Sequence, residues 1–563
     1  MDGCESDYVR SRFEGRLSAA DTVTEVAQVL REEMHHLHKA HGQALYQWLE
    51  RAIAPEVWAS IGVLFHPERI PAGLDAYTVF GDGSVRTEQT TEAKVDYYGD
   101  VELRVTQGTA VVWDSQRPIE AVERGVVYAM KDAEVVARDD ARLDLYDRAR
   151  AVVYDRAETH ARARSFVEVG GGTPSVYADQ QAQVYVEAGA PRLFLSECVR
   201  ALIGRDEACS SPTQVTASGE CLIALYGKED AEEPLLTAED FKGRLLRFTE
   251  GQLPLEVLQG FIVPRCHQTA KAYNEPRGES LMVEPIKQGL LPYLPVWRCD
   301  WDAERFERAR NEGEVCEVLA DYLPEMVDRG LTGALLRDLF TEECLCQHRI
   351  YTSFDIDEWL VRREETMRPS FFFGDQLVLG AHYPADKLYA FEQALVVADR
   401  PGQLVVVDQT AQAIGCGAGL VEAKGQAEVL GLGESVTLAT GSAAVWLAER
   451  ASCRAGGDAR VTAYGSTKVE GLERARVLLE GHNEATVGDQ CRVVASPEAQ
   501  VKADGAAEVA VGYSSERVDG RVECLSAGVR VYRCLSPEEE QRYREELTAP
   551  TQQGAHRAAG RGR

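Results

Sequence analysis

The sequence lacks any apolar run long enough to cross a bilayer, and its acidic first residues, Met1-Asp2-Gly3-Cys4-Glu5-Ser6-Asp7, contain no secretory core segment. It is also short of basic side chains. Lys and Arg total 61 against 91 Asp and Glu, a net charge of −30, which excludes the basic groove that nucleic-acid binding needs. Fourteen cysteines in 563 residues show no disulfide-scaffold spacing. Walker loop, Rossmann fingerprint, Gly-x-Ser-x-Gly elbow and His-Glu-x-x-His are all missing, so no cofactor is expected. These absences predict a soluble cytoplasmic protein without membrane insertion or nucleic-acid partners.

What is present is a period of eight, small-x-apolar-x-small-x-Gly-x. Ala459-Arg-Val-Thr-Ala-Tyr-Gly-Ser is followed by Thr467-Lys-Val-Glu-Gly-Leu-Glu-Arg and Ala475-Arg-Val-Leu-Leu-Glu-Gly-His. The pattern runs unbroken from Tyr77 to Gly172. Thr173 shifts its phase by one, and units resume at Pro174 and Ala182, then at Thr213 and Cys221 after an interruption over 190–212. A second stretch runs in phase from Gln403 to Ser514. A short fixed period predicts a solenoid whose units bury their apolar faces on their neighbours. Alternation within each unit is the strand period: positions one, three and five face in, with Gly at position seven suiting a corner.

The outward charges fix the size of the coil. At two units per coil, residues sixteen apart meet: Arg86 with Glu102, Glu134 with Arg150, Arg142 with Glu158, and Arg104 between Glu88 and Glu120. At three units, Asp96, Glu120, Asp144 and Glu168 would form an all-acidic ladder. The expected fold is therefore mixed: two β-solenoid (β-helix) arrays of eight-residue repeats, about two repeats per coil, with α-helical header and linking segments. The boundaries read as a helical header over 1–76, a first solenoid over 77–229, a linker and second helical header over 230–385, a second solenoid over 386–535, and a helical or disordered tail over 536–563. The two helical segments resemble each other, Glu25-Val-Ala-Gln-Val-Leu matching Glu314-Val-Cys-Glu-Val-Leu at an offset of 289.

The repeats resemble octapeptide-repeat β-solenoid regions of bacterial and phage proteins, in which a helical header precedes Ala-x-Val-x-Ala-x-Gly-x units. That resemblance covers about half of the chain through the repeat and a further fifth through the helical segments. It implies architecture and no assigned activity. Nothing here matches the calcium-binding nonapeptide signature or the hexapeptide acyltransferase period.

Sites for chemistry are few. His35, His38 and His41 share a helix face that can hold a transition metal, although a solvated polar face is the simpler reading. Cys344, Cys346 and His348 offer three zinc ligands, with Cys316 as a fourth, but a single residue between cysteines chelates poorly on a helix. Cys266-His267 pairs a thiol with a base, without an orienting carboxylate. The second array carries an apolar strip at outward positions, Ile414, Leu430, Trp446, Leu478 and Val494, flanked by Leu432 and Tyr464. Such a strip is covered either by the same chain or by a protein partner or second copy. The expected function is a non-enzymatic scaffold or protein-interaction protein. The alternative is an enzyme or toxin-like effector with its site in 230–385. The solenoids themselves are nearly neutral: 77–172 holds 18 acidic and 13 basic side chains, and 403–514 holds 14 and 9, a net of −5 in each.

Overall fold

A computed structural model describes residues 13–41, 43–113, 115–205, 212–228, 233–264, 282–295, 300–352, 369–374, 376–383, 385–512, 521–534 and 536–548. The chain divides into two compact units. One comprises 1–250 with 258–265, and the other comprises 251–257 with 266–563.

Each unit is dominated by short parallel strands in a β-solenoid-like arrangement. Most strands are four residues long, and most pair with the strand after next; the long strands Ala76–Gln89 and Lys94–Val105 instead pair with each other. In the second unit Val461 lies opposite Val445 and Val477, at offsets of sixteen. An eleven-stranded sheet and a ten-stranded sheet result. In the first unit Leu143 pairs with Val127 and Thr159 at the same offset. Past the extra residue Thr173 the offset becomes seventeen, Thr159 facing Val176.

Alternation sorts the side chains. Val461, Val477, Ala459, Ala463 and Leu479 are all at most 1 % exposed and belong to one continuous core, and a second core of the same kind fills the first unit. Several inward positions are polar, among them Thr159, Thr437, Thr467 and Asn483. Asn483 is fully buried and fully paired, accepting from the Thr467 amide and hydroxyl and donating to the carbonyls of Ala463 and Glu480. That pairing removes the penalty for burying an amide. Outside, opposite charges meet between coils: Arg142 with Glu158 at 2.6 Å, Arg86 with Glu120 at 2.7 Å and with Glu102 at 3.9 Å, Arg150 with Glu134 at 3.9 Å.

The corners hold a device that the glycine pattern does not reveal. Position seven is left-handed at many residues that are not glycine: φ is 59° at Asp139, 55° at Asp147, 55° at Asp155 and 55° at Glu473. A left-handed L-residue costs about 1–2 kcal/mol. The side chain offsets this by reaching back one coil to a backbone N–H. Glu123 N–H donates to Asp139, Lys131 to Asp147, Asp139 to Asp155, and Glu473 to Asp489, at 3.1–3.2 Å. Where the donor is glycine the same clasp forms, as from Gly433 to Glu449 at 2.7 Å. Carboxylate acceptors make these bonds charge-assisted.

Helices enter before the strands in both units. In the first, α1 (Val23–Glu32), α2 (Met34–His41), α3 (Gln43–Ala52) and α4 (Pro55–Ser60) pack Leu30, Met34, Leu49 and Trp58 against Phe80 and Tyr98. After α5 (Leu255–Ile262), the second unit has α6 (Val283–Leu290), α7 (Asp300–Arg308), α8 (Glu312–Ala320), α9 (Leu323–Asp328), α10 (Gly333–Leu339) and α11 (Glu342–Gln347). Their core joins Val315, Leu319, Leu323 and Leu336 to Phe371, Phe373 and Phe391. The starts of α1 and α8 are built alike. The Glu25 amide donates to Thr22 while the Glu25 carboxylate accepts from the amides of Asp21 and Thr22. The Glu314 amide donates to Asn311 while its carboxylate accepts from the Arg310 amide. Both pairs sit at the offset of 289.

Two expected boundaries move. Arg192–Leu195 and Arg200–Arg205 are strands of the first stack, so most of 190–212 continues it, and the offset there widens to 22 as Leu193 faces Val215. The segment expected to be linker from 230 instead adds two more strands, Leu235–Phe241 and Arg244–Thr249. Helix α12 (Pro537–Thr548) closes the described chain.

Replacing Val461 by Asp places an unpaired charge between Val445 and Val477 and should cost about 3–5 kcal/mol. Because such stacks are held by nearest neighbours, amide exchange should accelerate most in the adjacent coils. Urea melts and hydrogen exchange matching wild type would show that residue 461 does not face the core.

Candidate functional site

The most chemically distinctive group joins α8 to α11. Asn311 caps α8 and Thr341 caps α11, each side chain accepting from the amide three residues on. The Glu312 carboxylate, in the first turn of α8, ties the two starts together by accepting from the Thr341 amide at 3.2 Å and hydroxyl at 2.8 Å. One turn beyond Glu312 lies Cys316. Four residues separate Cys344 from His348, which places both on one face of α11. The result is a cluster of Cys316, Cys344 and His348 whose donor atoms all lie within 4.8 Å of one another. Among the described residues it is the one such group of His, Cys, Asp and Glu.

Burial and contact polarise these groups. Cys316 is wholly buried and its thiol is pushed up, chiefly by desolvation. The Cys344 thiol is drawn down to about 6, first by the hydrogen bond from Cys316 and then, against the desolvation that opposes it, by His348. The imidazole of His348 is raised, mainly by its contact with Cys344, to whose Sγ its Nδ1 is 4.0 Å away. The same Nδ1 lies 2.8 Å from the Cys344 carbonyl oxygen. Two thiols and an imidazole in contact, with the Cys344 thiol drawn down and the Cys316 thiol pushed up, form a polarised set rather than an inert core cysteine.

The structure alters the expected ligand set. Cys346 does not join Cys344 and His348. Two residues along a helix point to a different side, and Cys346 packs on the apolar core of the second unit's strands. Cys316 takes its place. The histidine face of α2 is put to other use. His38 is buried, bonds Tyr46 through Nδ1 and stacks on its ring, while His35 lies 4.1 Å from Trp113. These two imidazoles belong to the aromatic packing of α2 and α3 on the first strands; the His41 side chain and the Cys266-His267 pair lie outside the described residues.

The apolar strip of the second unit is not open. Ile414 and Leu430 are wholly buried, as are nearly all of Leu432, Leu478 and Val494, and Trp446 and Tyr464 are half-buried. Helix α12 covers the far end. Leu547 and Tyr543 pack with Leu478, Val494 and Ala510. Arg544 anchors the helix to Glu480 and to Glu540. The opposite face is polar, with Arg454 paired to Glu470 and Lys502 to Glu523.

Two further features face solvent. In the first unit His160, Tyr177 and Phe194 stand in register on consecutive coils. Their rings stack at 4.7 and 4.5 Å, within 10° of parallel, and the last two are more than one-third exposed. In the second unit a cleft of about 350 Å³ is lined by Asp321, Glu325, Asp328, Phe371, Tyr389 and Lys424. Three carboxylates and one amine make it acidic. Neither feature stands out in the sequence, although the aromatic ladder becomes legible there once offsets of sixteen and seventeen are applied to His160, Tyr177 and Phe194.

Comparison with protein families, curated proteins and solved structures finds no match. No described helix is long and apolar enough to cross a membrane.

Leu547→Asp should undock α12, at a cost of about 1–3 kcal/mol, and raise the binding of a hydrophobic dye at the uncovered Leu478 and Val494. Unchanged exchange protection over 537–548 would show that the helix is held without this contact.

Proposed function

We propose that the chain is a non-enzymatic scaffold made of two β-solenoid arrays of octapeptide repeats, two repeats per coil, each preceded by a helical header of shared origin. Support for the repeat comes from the offsets of sixteen and the charge pairs that follow them. Support for a duplicated helical header comes from the matching hydrogen bonds at Glu25 and Glu314. The resemblance to octapeptide-repeat β-solenoid proteins of bacteria and phages points the same way.

The scaffold acts by binding a partner protein on the exposed face of the first array. The observation that carries this reading is the stacked ladder of His160, Tyr177 and Phe194. Aromatic side chains held rigid by their neighbours give large contact area at little entropic cost, and they dominate interface energetics. The arrays themselves are nearly neutral, so the contact on this face is made by the aromatic rings rather than by net charge. Helix α12 occupies the strip at Leu478 and Val494, which favours the ladder over that end of the strip as the interaction surface.

A second reading is favoured by the cleft at Asp321, Glu325 and Asp328, in the middle segment: an enzyme or effector that takes a cationic ligand there. It requires turnover by the purified chain that falls in Glu325→Gln.

Tyr177→Ser combined with Phe194→Ser should leave the melting curve within about 0.5 kcal/mol of wild type, since both sites face solvent. Retention of the proteins that the wild-type chain captures from native lysate should fall at least tenfold. Equal retention of the same proteins by wild type and the double variant would remove this face from the proposal.

A further inference from the structure

We propose that Cys316, Cys344 and His348 bind a single divalent cation of the zinc class, which pins α8 to α11. The site is independent of the scaffold reading and would stand if that reading fell.

Three features converge. The donors are two sulfurs and an imidazole nitrogen, the set that selects borderline-soft cations over magnesium or calcium. They come from two helices that are separate in sequence, so one ion closes a loop of 27 intervening residues between Cys316 and Cys344. They are also close: the mutual limit of 4.8 Å stands against the roughly 3.8 Å between two sulfurs on a tetrahedral zinc, a difference that side-chain rotation covers.

The surroundings suit an ion. Cys316 is wholly buried and Cys344 nearly so, which fits a structural centre shielded from solvent. Glu312 stands one turn before Cys316, with its carboxylate fixed by the amide and hydroxyl of Thr341. Three protein donors leave a fourth position, for water or for Glu312 itself.

Cobalt(II) is the probe. Full-length chain kept reduced should take up one equivalent and show the thiolate-to-cobalt charge-transfer absorption of a tetrahedral site, lost when zinc is added. His348→Ala should weaken cobalt binding at least tenfold, and Cys316→Ser should abolish it. Cys346→Ser should leave it unchanged, because that thiol faces the strand core. His348 is only half-buried, so its variant carries the test if Cys316→Ser fails to fold. Zinc should raise the melting temperature of wild type and not of His348→Ala. A reduced wild-type chain without the charge-transfer band overturns the proposal. So does a band of full strength in both site variants, or a Cys316–Cys344 disulfide with no metal uptake after reduction.

Discussion

Every coil is held to the next by parallel backbone hydrogen bonds, most of them at an offset of sixteen residues, and each other feature of the molecule is arranged around that offset. A parallel ladder leaves no freedom in register: a slip of one residue would turn Val461 and Val477 outward and Arg460 and Arg476 inward. The same offset places Arg142 over Glu158 and Arg474 over Asp458. It also stacks the corners, where an N–H that points along the stack meets the carboxylate of the equivalent residue one coil on. Exposed ion pairs contribute little individually. The corner clasps satisfy backbone donors, and they explain why aspartate and glutamate stand at left-handed positions that glycine would occupy more easily.

Both units carry one buried face and one open face. In the first, Tyr185, Leu202 and Ala224 form a covered column, whereas His160, Tyr177 and Phe194 form an exposed one. In the second, the column from Ile414 to Val494 is covered and the column from Glu422 to Lys502 is polar. Thus α12 packs on the apolar column of the second unit at Leu478, Val494 and Ala510, whereas in the first unit stacked aromatic rings stand at the solvent boundary.

Much of this was legible in the sequence because it is periodic. The inward valines, the pairs Arg142–Glu158 and Glu134–Arg150, and the phase shift at Thr173 all follow from counting by eight. What escaped is aperiodic or depends on distant chain. The glycine pattern pointed to the corner at position seven, but Asp139, Asp147 and Asp155 carry the same left-handed turn without glycine, and only their hydrogen bonds explain them. Helix α12 reads as a highly charged segment, and its apolar contact with Leu478 comes from Leu547 and Tyr543. The interruption expected over 190–212 is shorter in the structure because Arg192–Leu195 keeps alternation without keeping the count of eight. In the cysteine cluster the residue types were recognised, but proximity in sequence favoured Cys346, whereas the helix turn brings Cys316 in from α8 and sends Cys346 to the opposite side.

The coil length is tested most directly by pulsed electron-spin distances between labels placed through non-natural amino acids at Thr410 and Ala506. Both are exposed corner positions, ninety-six residues apart in sequence. At sixteen residues per coil they are six steps apart, about 29 Å at roughly 4.8 Å per step. A distribution centred there, within the reach of the labels, is the predicted result. A peak near 19 Å, four steps of twenty-four residues at about 4.8 Å each, would contradict the two-sided coil on which the rest of the account is built.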